Sequence, residues 1–189
     1  MVTMSGAPWS VALDYSHDVA FALAVRDALG ITDPQGLPAL DPPQALAVDS
    51  AVLADGGSEE LWQRWWSRAL DATRREEAGA PALPEGLLGR VVEENFAALH
   101  HWSGARKREV ARVTRPTHAV PRLRDALREH ERASGVRLGG FRLRVTALPV
   151  AGPVFLPLDE ERILVSITVL SDRADYLARL LAHVGRTSD

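Results

Sequence analysis

No cysteine occurs anywhere in the 189 residues. Disulfide scaffolds, thiolate zinc sites and cysteine nucleophiles are thereby excluded. Lysine is almost absent too: Lys107 stands alone beside 21 arginines, and Asn95 is the single asparagine. With the abundance of alanine, this is the bias of a GC-rich coding sequence and points to a bacterial origin, so arginine abundance alone is weak ground for phosphate binding. Long apolar runs are missing as well. Val19 to Val25 spans seven residues and follows Asp14 and Asp18. A secretory signal wants a basic flank and a longer apolar core, and a membrane span needs about twenty apolar positions. The expectation is a soluble cytoplasmic protein with no membrane contact.

Catalytic signatures are also lacking. His130-Glu131 is followed by Arg132, Ala133 and Ser134, so the second histidine of H-E-x-x-H is absent. No glycine-rich phosphate loop surrounds Lys107, and neither a G-x-S-x-G elbow nor a G-x-G-x-x-G fingerprint appears. No cofactor is implied.

What is present is a polarised charge. Residues 1–60 hold nine acids and one arginine, residues 61–101 six acids and five bases, residues 102–144 twelve bases and four acids, and residues 145–189 six acids and four bases. An acidic head and a basic middle either complement one another within the fold or face a partner.

Periodicity places the elements. Ser16 and Gly30 are a helix cap and a helix stop around an almost wholly apolar segment, which predicts a central helix over 16–29. The preceding Val11, Leu13, Tyr15 alternation suits a short strand or an early helix start. Pro43 and Gly56 suggest a short helix over 43–54. Ser58-Glu59-Glu60 opens a helix over 58–77, whose Leu61, Trp62, Trp65, Trp66, Ala69 and Leu70 follow one stripe. A helix over 85–102 ends at Ser103-Gly104, Pro116 and Pro121 bracket a turn, and a helix over 121–134 closes at Gly135. The period then falls to two at Phe141, Leu143, Val145, Ala147 and again at Ile163, Val165, Ile167, Val169, with a short strand at 154–156 between. A helix over 172–184 ends the chain. The fold class is α+β: a mainly helical N-terminal two thirds, then a small antiparallel β-meander and a C-terminal helix. One domain is expected over 1–189, with 1–135 mostly helical and 136–189 holding the meander and terminal helix.

Candidate functional residues fall into four groups. The stretch HHWSGARKRE (100–109) reads as a helix end followed by a basic surface, because consecutive histidines point about 100° apart and cannot chelate one ion together. His118 is the nearest further histidine. Asp14, His17 and Asp18 carry the i, i+3, i+4 spacing of a half-site for a hard divalent ion, or simply of a helix N-terminus that accepts acids. Trp62, Trp65 and Trp66 are core fillers or partner anchors. Arg106, Lys107, Arg108, Arg112 and Arg115 begin a basic segment, 106–124, with no aromatic residue for base stacking. No metal site is assigned. The leading reading is a non-catalytic module that binds another protein, with a regulatory, accessory or immunity-type role, through these tryptophans and basic residues; homo-oligomerisation is compatible with it. The alternatives are a metal- or histidine-dependent enzyme and a nucleic-acid-binding protein using 106–124.

Overall fold

A computed structural model describes residues 9–49, 58–73, 83–115, 120–135 and 140–187. Within these lie four strands and seven helices: β1 (Ser10–Asp14), α1 (His17–Leu29), α2 (Ser58–Ala72), α3 (Gly86–Glu94), α4 (Phe96–Thr114), α5 (Val120–Ser134), β2 (Arg142–Leu148), β3 (Phe155–Pro157), β4 (Arg162–Ser166), α6 (Ile167–Ser171) and α7 (Arg173–Thr187). The α+β class is what the chain adopts. The chain divides into two compact units. A sheet unit comprises Met1–Tyr15, Arg108–Leu148 and Gly152–Asp189, and a helical unit comprises Ser16–Lys107 with Pro149–Ala151.

In the sheet unit the strand order is β1-β2-β4-β3. β1 lies parallel to β2 with Leu13 opposite Val145, and β2 lies parallel to β4 with Val145 opposite Ile163. Only β3 and β4 pair antiparallel. The antiparallel meander is thus corrected. Alternation reports which side chains face a core, and that part holds: Val11, Leu143, Val145, Ile163 and Val165 are all buried. Strand direction is invisible to alternation, and β1 arrives beside β2 from the far end of the sequence. Thr146, Leu148, Leu164 and Ser166 on the opposite face are buried as well, as expected where parallel strands are covered on both sides.

A second correction concerns Ile167 and Val169, which belong to α6 rather than to a strand. The Ser166 hydroxyl accepts from the Val169 N–H at 3.4 Å and from the Val154 N–H at 3.0 Å. It caps the helix and turns the chain out of the sheet. Asp172 similarly opens α7, accepting from Ala174 and Asp175 N–H groups, and Tyr176, Leu180 and Val184 form the buried stripe of that helix.

In the helical unit, α1 starts and stops where its caps demand. The Ser16 hydroxyl accepts from Val19 N–H, and Gly30 sits in the left-handed region at φ 63°. Every residue from Val19 to Arg26 is buried. The buried Arg26 organises the loop that follows. Its Nε donates to Asp27 Oδ1 at 2.7 Å, Nη1 to Asp33 Oδ2 and the Leu37 carbonyl at 3.0 Å, and Nη2 to the Pro38 carbonyl at 2.6 Å. Asp27 in turn accepts the Leu40 N–H at 2.7 Å. α2 lies within the expected 58–77 span; residues 74–77 fall outside the described residues.

The expected helix over 43–54 does not form over 43–49; the remainder lies outside the described residues. That stretch is instead irregular and tied at Ala47 to the side chain of Asn95, which accepts from its N–H and donates to its carbonyl. The expected helix over 85–102 is two helices broken at Asn95, and the second runs on to Thr114. Ser103-Gly104 therefore stops nothing. Ser103 spends its hydroxyl on another helix, and an interior glycine costs only about 1 kcal/mol. Buried Leu99, Trp102, Ser103, Val110 and Thr114 anchor the helix on both sides of Gly104. Among the described residues no helix is long and apolar enough to cross a membrane.

Candidate functional site

HHWSGARKRE lies inside α4. His100 and His101 are near its beginning rather than its end, so the favourable charge–dipole effect of a helix C-terminus does not act on them. His101 is exposed. His100 joins a circuit of four rings built from one i, i+4 pair on each of two helices. His17 stacks on His100 with centroids 5.9 Å apart and planes 9° apart, and Phe21 meets Phe96 edge-on at 6.1 Å and 89°. Phe96 stacks on His100 at 5.9 Å, and His17 meets Phe21 at 6.3 Å. The pairing of 17 with 100 and of 21 with 96 shows that α1 and α4 run antiparallel at this contact.

The chemistry open to this cluster is restricted. His17 and His100 can offer an ion two nitrogens at most, and a protein metal site needs three or more ligands. Nδ1 of His17 is 2.8 Å from Oγ of Ser103, and either atom can donate according to the tautomer. This resembles a base beside a nucleophile, but the Ser103 side of the pair is fully buried. Asp14 ends β1 instead of continuing α1, so the i, i+3, i+4 face imagined for Asp14, His17 and Asp18 does not exist. Among the described residues no three potential metal ligands cluster. His118 lies outside the described residues.

The tryptophans are interior. Trp62, Trp65 and Trp66 are 0%, 1% and 3% exposed. Trp62 donates its indole N–H to the Ala22 carbonyl at 2.7 Å, stacks on Trp66 at 5.5 Å, and Trp66 donates to Gln35 Oε1. Helix α2 therefore spends its aromatic stripe on α1 and the loop after it, not on a surface.

The basic residues divide. Arg106 is half-buried, and Lys107 is exposed. Arg108, Arg112 and Arg115 are all exposed, and the Arg115 N–H bonds back to the Ala111 carbonyl, extending the helical path to it. At 100° per residue their i, i+4, i+7 spacing puts all three within about 60° of arc, along roughly 10 Å of axis. Among the described residues no ion pair engages any of them. The sequence reading of a looser basic surface missed this stripe. The signal was available in Val110 and Thr114, which continue the apolar spacing of Leu99 and Trp102 through the basic run.

Charge segregates by unit: the sheet unit has fourteen arginines against eleven acids, a net of +3, and the helical unit has fourteen acids against eight bases, a net of −6. Compared with known protein families, with curated proteins and with solved structures, the chain matches none.

Proposed function

We propose that this protein is a non-catalytic binding module that recognises a carboxylate-rich surface of another protein through Arg108, Arg112 and Arg115. The observation that carries the reading is their exposure on one face of a long helix without intramolecular ion pairs among the described residues. A guanidinium presents a planar fork of donors that matches a carboxylate, and three on one helix face add register to charge. The arginine- and alanine-rich composition suits a bacterial origin, and a cytoplasmic setting is part of the same proposal. Nucleic acid fits the same arginines less well. Phe96 is the one exposed large apolar side chain among the described residues, it stands twelve residues before Arg108 on α4, and unpaired bases want a stacking surface.

The test uses a fluorescein-labelled polyglutamate peptide and a labelled DNA oligonucleotide of equal charge, titrated with the full chain over a salt series. Binding of the peptide that is lost in the Arg108→Glu, Arg112→Glu, Arg115→Glu triple variant supports the reading. Preference for DNA, with affinity falling steeply as salt releases counterions, overturns it in favour of nucleic acid.

A further inference from the structure

We infer that the acidic surface met by the arginine stripe is carried by a second copy of this chain, an inference that rests on the reading above. The corner between α3 and α4 exposes Glu93, Glu94 and Phe96 together. Phe96, 40% exposed, meets the fully buried Phe21 edge-on at 6.1 Å and stacks on His100 at 5.9 Å. A ring fixed in this way loses little rotamer freedom on binding, and aromatic side chains are favoured interface anchors. Among the described residues neither Glu93 nor Glu94 forms an ion pair.

A partly exposed aromatic ring near two exposed carboxylates is an environment that suits a guanidinium. The ring takes the flat face of the cation and the carboxylates take its N–H fork. Each chain holds both halves, the corner in the helical unit and the arginines in the sheet unit. The segregation of charge between the units favours contact of unlike units from different copies. Because the two surfaces differ, such contacts either close into a small assembly or continue into a chain.

Sedimentation velocity of the full chain over a concentration series tests this. Self-association is expected at low salt, weakened at least about tenfold at roughly 0.5 M salt, where charges are screened beyond about 4 Å. Glu93→Arg with Glu94→Arg, and separately the triple arginine-to-glutamate variant, are each expected to stay monomeric. Mixed together they associate again, because each then offers the other complementary surfaces. Phe96→Ser weakens association, and the neutral Glu93→Gln, Glu94→Gln pair stands in should a reversed variant fold poorly. A wild-type chain that remains monomeric, or one whose association survives both reversals, overturns the inference. If that monomer still binds polyglutamate through the stripe, the broader reading stands and only the second copy is removed.

Discussion

The side-chain amide of Asn95 gives Ala47 both hydrogen bonds of a paired strand residue, accepting from its N–H and donating to its carbonyl, each at 2.8 Å. The same amide donates to the Val91 carbonyl at 2.8 Å, closing α3. One buried side chain thus terminates a helix, separates it from the next and pins an irregular segment 48 positions away. Asn95→Ala is expected to cost about 1–3 kcal/mol, since Ala47 loses both its partners while the Val91 carbonyl keeps only the Asn95 backbone N–H. Hydrogen exchange at the Ala47 amide should rise by more than the global loss of stability accounts for. Unchanged protection there would show that the segment is held by other contacts.

Arg26 supports the next loop in the same way, with a stronger group. Arg26 and Asp33 are 3% and 4% exposed, and two carbonyls share the remaining N–H donors. Removing the cation leaves a buried carboxylate without its counter-charge, for which the expected loss is about 3–5 kcal/mol in Arg26→Met. Arg26→Lys should recover little, because one ammonium cannot reach two carboxylates and two carbonyls in a planar fan. Urea unfolding of both variants checks this, and full rescue by lysine would reduce the network to simple charge.

These two networks mark the boundary of what the sequence discloses. The ends of α1 were legible because Ser16 and Gly30 act on their own neighbours. Core faces were legible too, since periods of 3.6 and 2 are local properties. Asn95 and Ser103 misled or stayed silent because each serves a partner distant in sequence, whereas Ser166 is a local cap hidden by the apolar alternation that runs on through Ile167 and Val169. Ser103-Gly104 reads as a stop when only local turn preferences are weighed, and the bond to His17 is not in that window. The isolation of Arg26, the one base before Arg64, was a visible hint of burial among acids. Parallel pairing of β1 with β2 had no local signal at all. The arginine stripe was written in the sequence, but could be seen only once 103–115 was recognised as helix.

The tryptophans of α2 supply a direct test of core against surface. Trp65 is 1% exposed, and Trp65→Ala should lower stability by about 3–5 kcal/mol through lost burial and the cavity left behind. Thermal and urea unfolding measure it. A fully stable variant that had lost only an interaction with another protein would return Trp65 to the surface.

Gly89 is required for its lack of a side chain. It is buried within α3, and a Cβ there would collide with the Pro84 carbonyl. Backbone is the obstacle, so the helix or the preceding turn must move. Gly89→Ala should therefore destabilise by about 1–3 kcal/mol, despite the better helix propensity of alanine. A gain in the urea midpoint would mean that the turn at Pro84 yields freely.

Alkaline pH should expose the burial of Tyr176. Desolvation in α7 pushes its phenol above the ordinary tyrosine range. Below about pH 10 the group is neutral both folded and unfolded and adds no pH dependence. Above that, the unfolded chain ionises while the folded chain keeps its proton, so the unfolded state is favoured. Stability should then fall with a limiting slope of about 1.4 kcal/mol per pH unit, until the folded-state phenol itself ionises. Tyr176→Phe removes that contribution, and with a single lysine in the chain few other groups titrate nearby. Urea midpoints for both proteins between about pH 8 and pH 11 decide the matter. Parallel curves would mean that Tyr176 ionises as readily folded as unfolded, which its burial in the α7 stripe does not allow.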